Sequence, residues 1–146
     1  MLEKYRRSTP TEPTDLFANL IQLRTGGEIA AQRRGEPGES GLWTVAAFHA
    51  ESNESVHSHV WERHPGGDEL LCVLSGALSV HLRGDDAGPA TSLRPGTFFV
   101  VPAGKWHRLT VDEPGDLLSI TPRLDTEHEK VQTSGSASPT EQATAT

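Results

Sequence analysis

Three of the chain's seven histidines, His57, His59 and His64, fall within a short stretch. The run Val56-His57-Ser58-His59-Val60-Trp61 reads as part of a strand over 55–61. On a strand, residues two apart share a face, so His57 and His59 would project side by side with Trp61 next in line. Two neutral imidazoles presented together are half of a metal site, because imidazole ligates Zn, Fe, Cu and Ni. A fourth histidine lies in Gly96–Val111, GTFFVVPAGKWHRLTV. There Gly96 follows Pro95 in a turn, 97–101 reads as a buried strand, and Pro102-Ala103-Gly104 is a tight reversal. His107 opens the returning strand and is aimed back across the sheet.

The elements that must position these residues are short and β-like. Runs of β-branched and aromatic residues predict strands near 28–33, 42–50, 55–61, 69–75, 77–83, 97–101, 107–112 and 116–121. Residues 16–23 suit a short helix or a strand equally well. Gly-Glu-Pro-Gly, His-Pro-Gly-Gly, Ser-Gly, Arg-Pro-Gly, Pro-Ala-Gly and Glu-Pro-Gly punctuate the runs. Short strands at this spacing, with no convincing amphipathic helix, predict an all-β sandwich or barrel. Residues 1–15 read as an N-terminal arm, 16–123 as one β domain, and 124–146 as a disordered tail rich in Ser, Thr, Ala, Gln and Glu.

Composition narrows the function. A chain of 146 residues suits one domain. Its net charge of −7, from 20 acidic against 13 basic residues, is the wrong sign for a general nucleic-acid binder. No apolar run approaches the roughly 20 residues that span a bilayer, so no membrane partner is expected. With one cysteine, Cys72, there is no disulfide framework. The start carries no signal-like apolar stretch, and a cytoplasmic location is the expectation. A small molecule is the expected ligand.

The residues Gly96, Pro102, Gly104 and His107 resemble the second conserved motif of the cupin family at every spacing, with Val111 where that motif ends in Asn. His57-Ser58-His59 resembles the start of the first cupin motif, and Gly76 its end. The resemblance implies a cupin jelly-roll barrel with one divalent metal held in its mouth. The first motif admits two registers. Counted from the His pair, the metal ligands are His57, His59, His64 and His107, with His64 in the place of the motif's Glu. Counted back from Gly76, they are Glu62, His64, Glu69 and His107. The His pair has the motif's own spacing, and a longer loop through Pro65-Gly66-Gly67 can absorb the extra residues. The four-histidine set is therefore the expectation, with Glu69 the rival ligand or a hydrogen-bond partner of a ligating imidazole.

His-Ser-His followed by Val-Trp-Glu-Arg-His-Pro-Gly-Gly-Asp-Glu, in a stand-alone chain of this length, resembles the cupin-type aromatic polyketide cyclases. That resemblance implies metal-assisted aldol cyclisation of a poly-β-ketone, with Zn2+ favoured and Fe2+ the alternative. Acyl carrier protein and other polyketide synthase or cyclase components are the implied partners. Water on the metal is the first candidate for the base and Glu69 the second. Trp61 and Trp106 adjoin the ligands and are expected to line the pocket. A cupin dioxygenase and a non-catalytic binding barrel are the rival readings. Cupins as a group also imply a homodimer, formed by strand exchange through residues 1–25.

Overall fold

A computed structural model of the chain describes residues 9–37 and 43–133. They form nine strands and no helix: β1 (Asn19–Leu23), β2 (Ile29–Arg33), β3 (Trp43–Ala50), β4 (Val60–Arg63), β5 (Glu69–Leu82), β6 (Thr91–Leu93), β7 (Phe98–Val101), β8 (His107–Pro122) and β9 (Glu127–Lys130). The all-β expectation holds. The run 16–23 resolves as a turn leading into β1, because the Asp15 carboxylate accepts the Phe17 and Ala18 amides and stops a strand from starting earlier.

All pairings are antiparallel, in the order β2-β1-β3-β8-β4-β9, with β5 joining β6, β7 and β8. The two long strands, β5 and β8, run through both walls of the barrel. Each replaces two shorter strands of the sequence reading. They stay continuous because the bend is taken up by irregular pairing between Val73 and Leu78. Gly76 occupies the bend at φ +75°, and a Cβ there would press into the Glu113 and Pro114 backbone. Gly115 passes the Ser75 carbonyl just as closely, so both positions require glycine.

Alternation sorts the side chains. Leu71, Val73, Leu78, Val80, Leu93, Val101 and Leu117 point inward, all 4% exposed or less, with Phe99, Val56 and Leu109 packed on them. Each such side chain contributes roughly 1.5–3 kcal/mol of burial. On the opposite face, the row Ala31–Ile21–Val45–Ile120–Leu70–Val100 crosses six strands in register and is apolar throughout.

Two sequence expectations are corrected. The predicted strand 55–61 is a series of turns from Ser52 to His59, and β4 begins only at Val60. Ser55 is the cause: its hydroxyl accepts the Glu51 and Ser52 amides, and backbone bonds close the turns Ser52–Ser55 and Glu54–His57. His57 consequently sits at φ +50°, outside strand geometry. The predicted featureless tail from 124 is structured at its start. Residues Glu127–Lys130 form β9, which pairs with β4 from Val60↔Lys130 to Arg63↔Glu127. The arm expected at 1–15 is described only from residue 9, where no strand forms before Asn19, and the tail beyond 133 lies outside the described residues.

Candidate metal centre

Four side chains converge at the floor of the barrel mouth. Glu62 lies mid-way along β4 and is the register partner of His107, the first residue of β8. Glu69 opens β5, and His64 stands just past the end of β4. Backbone contacts fix this assembly. The Gly104 amide donates to the His64 carbonyl at 3.0 Å, and the Ala103 amide donates to the Asp68 carboxylate at 2.8 Å. The Pro102-Ala103-Gly104 reversal is thereby stitched to the loop carrying His64 and Asp68, and the returning strand brings His107 to 5.7 Å from His64, centroid to centroid.

The two imidazoles and two carboxylates are close enough to share one ion. One ligand atom from each of Glu62, His64, Glu69 and His107 lies within 4.8 Å of every other. His107 Nε2 is 2.9 Å from Glu69 Oε1, while His64 Nε2 is 3.1 Å from both Glu69 Oε2 and Glu62 Oε1. Glu69, His64 and His107 are buried, and Glu62 is about one-third exposed. Burial pushes the Glu62 carboxyl up, but hydrogen bonds and charge from His64, then His128, outweigh it and hold it down at about 2. Burial likewise opposes a proton on His64, and the two carboxylates win, raising it to about 9. Burial resists the ionised form of Glu69, yet hydrogen bonds from His107 and His64 keep its carboxyl below the ordinary range. Two ionised carboxylates facing two imidazoles are a donor set that fits a divalent ion.

The structure does not bring the four histidines of the sequence expectation together. His64 and His107 are in the cluster. His57 and His59 sit on the preceding turns, their rings T-shaped with centroids 6.2 Å apart, and neither belongs to the group of four. The register counted back from Gly76 gives the residues that do meet. It runs from a glycine that the backbone requires, whereas the His-x-His spacing lies in a segment that Ser55 folds into turns.

Trp61 and Trp106 are also placed differently from expectation. Trp61 alternates with Val60 and Glu62 and faces away from the cavity. Together with Trp106 it forms a stack on the outside: the Arg63 and Arg83 guanidinium groups lie 4.7 and 4.6 Å from Trp106, and those of Arg83 and Arg108 lie 5.6 and 5.2 Å from Trp61. His128, read from sequence as part of the tail, enters the site. Its Nε2–H donates to Glu62 Oε2 at 2.7 Å. Thr126 joins it, its hydroxyl 2.9 Å from His64 Nδ1. The only sequence signal for either was the alternation Thr126, His128 against Glu127, Glu129.

Above the cluster opens a cavity of about 730 Å3. Phe48, Val56, Val60, Leu71, Leu109 and Leu117 supply apolar wall, and Ser119, Thr121, Arg108 and Arg123 the polar lining. The buried Thr121 hydroxyl has no protein partner. His57 lines the mouth.

The family profile described as Cupin domain matches residues 47–124, more than half of the 146. The chain belongs to the cupin family. The matched span of this cupin runs from β3 to just before β9 and contains all four clustered residues. Among solved structures it is similar to a protein with a double-stranded beta-helix domain from Klebsiella pneumoniae subsp. pneumoniae MGH 78578, at 22% identity and a TM-score of 0.48, over 70% of this chain and 90% of that one. KdgF from Halomonas sp. is 23% identical, with a TM-score of 0.44, over 60% and 76%. A cupin superfamily protein from Desulfitobacterium hafniense DCB-2 is 21% identical, with a TM-score of 0.42, over 62% and 72%. No curated protein matches the chain. No described helix is long and apolar enough to cross a membrane.

Proposed function

We propose that this cupin is a metal-dependent enzyme acting on a small organic substrate that offers two oxygens to one divalent ion, and that the ion is held by Glu62, His64, Glu69 and His107. The observation that carries the reading is the convergence of these four donors beneath a largely apolar cavity. A poly-β-ketone undergoing aldol cyclisation is the substrate we favour. When bound, a divalent ion would polarise both oxygens of a 1,3-dicarbonyl and acidify the CH2 between them. The chain's own contribution is to fold and shield the rest of the molecule. Phe48, Leu109 and Leu117 present apolar surface to a ketide chain and exclude water from competing closures. Arg123 lines the cavity as a cation for a terminal carboxylate or an enolic oxygen. An acyl carrier protein that delivers the substrate remains the proposed partner.

Within this donor set, Glu69 is a ligand rather than a free base. Both of its oxygens are engaged by imidazoles, and its carboxyl is held ionised. One observation favours a second reading, an Fe(II)-dependent dioxygenase. Two anionic donors beside two imidazoles stabilise a higher oxidation state better than four neutral ligands do.

The test is elemental analysis of tag-free protein purified anaerobically without chelators, followed by a matched assay. Zinc near one per chain with cyclised product from a synthetic poly-β-ketone supports the cyclase. Iron near one per chain with substrate-dependent oxygen uptake selects the dioxygenase. Protein that takes up no metal, even when reconstituted, overturns both.

A further inference from the structure

Strand β9 begins at Glu127, beyond residue 124 where the family match ends. It lies against β4 with its two faces divided. Outward, Glu127 holds Arg63 and Glu129 holds Arg83, the same guanidinium groups that stack on Trp106. Inward, Thr126 meets His64 Nδ1 and His128 meets Glu62 Oε2. The Val131 amide closes the far end on the His59 carbonyl at 2.8 Å. Residues outside the family domain thus touch two of the four candidate ligands on the atoms that an ion would not use.

We propose that β9 and the residue before it form an outer layer of the metal centre, in which Thr126 and His128 are positioning residues that set its affinity; this rests on the ligand set proposed above. For His64 to offer Nε2 to an ion, its proton must sit on Nδ1, and that N–H donates to Thr126 Oγ1. For Glu62 to offer Oε1, its other oxygen must be held, and His128 holds it. Partners of this kind fix ring tautomer and carboxylate rotamer, and their loss weakens a metal site by about 10–100-fold.

The experiment is a competition titration of Zn2+ against a chromophoric chelator with the full chain. Thr126→Val and His128→Ala are each expected to weaken Zn2+ binding at least tenfold, and His128→Gln, which keeps an N–H donor, to recover most of it. Glu127→Gln and Glu129→Gln remove contacts that hold the same strand on its other face, and are expected to change affinity less than twofold. If all four variants weaken binding alike, β9 acts only by packing and the positioning role falls. If wild-type protein binds Zn2+ and Thr126→Val and His128→Ala bind it equally well, the proposal falls while the ligand set stands. Wild-type protein that binds no Zn2+ removes the ligand set itself.

Discussion

Raising the pH should destabilise the metal-free protein but not the metal-loaded one, because in the proposed ligand set His64 is the group that gives up its proton to take the ion. In the metal-free chain the His64 imidazolium faces Glu62 and Glu69 at 3.1 Å, and its pKa rises from 6.5 to about 9. A raised pKa means that the native state binds the proton more tightly than the unfolded chain does. Its contribution is complete below pH 6.5 and is lost as pH rises through about 9. At about 1.4 kcal/mol per unit, the ceiling is about 3 kcal/mol. Glu62 is one-third exposed, and solvent screening there reduces the expected loss to about 1–2 kcal/mol. For a domain of this size that corresponds to a fall in Tm of about 3–6 °C. The same contact depresses Glu62 to about 2, so its stabilisation is present above 4.5 and disappears as pH falls through about 2. The two describe one interaction and are not added. The metal-free protein is therefore most stable between about 4.5 and 6.5 with respect to this cluster.

An ion that uses His64 must displace that proton, so its affinity should climb over the same interval in which the metal-free fold weakens. The assay is thermal unfolding from pH 6 to 9.5, in chelator and in excess Zn2+, for wild type and His64→Gln. The expected pattern is a falling Tm in chelator, a rising or level Tm in Zn2+, and a flattened chelator curve for His64→Gln. A wild-type curve in chelator no steeper than that of His64→Gln would refute the argument, since the cluster would then contribute nothing across the window in which it titrates.

His107→Ala should lose bound metal by elemental analysis, whereas His57→Ala and His59→Ala should keep it; loss of metal from either of the last two restores the four-histidine set, and full retention by His107→Ala overturns both sets. Glu69→Ala should abolish metal binding and lower Tm, because it strands two buried imidazoles, while Glu62→Ala, at the exposed side of the cluster, should retain metal at reduced affinity in a chelator titration. Gly115→Ala places a Cβ against the Ser75 backbone where β5 and β8 cross, and should cost at least about 2 kcal/mol in urea unfolding. Leu71→Ala, in the most buried part of the core, should cost about 2–5 kcal/mol by the same measurement.

The barrel was legible in the sequence because its code is local. β-branched alternation between Gly and Pro turns specifies strands, and Gly96, Pro102, Gly104 and His107 specify one motif almost completely. What was missed depended on competition between local preferences or on distant partners. His57-Ser58-His59 has strand spacing, but Ser55 and its neighbours offer the backbone a tighter set of hydrogen bonds, and the turn wins. The sequence Glu127-His128-Glu129-Lys130 has no intrinsic strand preference. It becomes β9 because Arg63 and Arg83 lie opposite Glu127 and Glu129, and Glu62 lies opposite His128. Gly76 was the better ruler for the first motif because its positive φ and its contact with the Glu113 carbonyl tie it to one place in the fold.

Replacing two imidazoles by two carboxylates changes the chemistry as well as the residue list. Four neutral histidines would leave a divalent ion its full charge and make it a strong Lewis acid. Glu62 and Glu69, both held ionised, would cancel that charge formally, so a bound ion's pull on a carbonyl would be weaker and its hold on the site stronger. Enolisation in the proposed reaction would then need help from groups that the metal alone does not supply. Arg123 stands in the cavity wall, where a substrate oxygen on its way to an enolate would find a cation. Acidifying a CH2 between two carbonyls asks far less of a Lewis acid than activating an isolated ketone does. On the proposed ligand set, a charge-balanced centre in an apolar barrel would therefore be better matched to 1,3-dicarbonyl substrates than to simple ketones or esters.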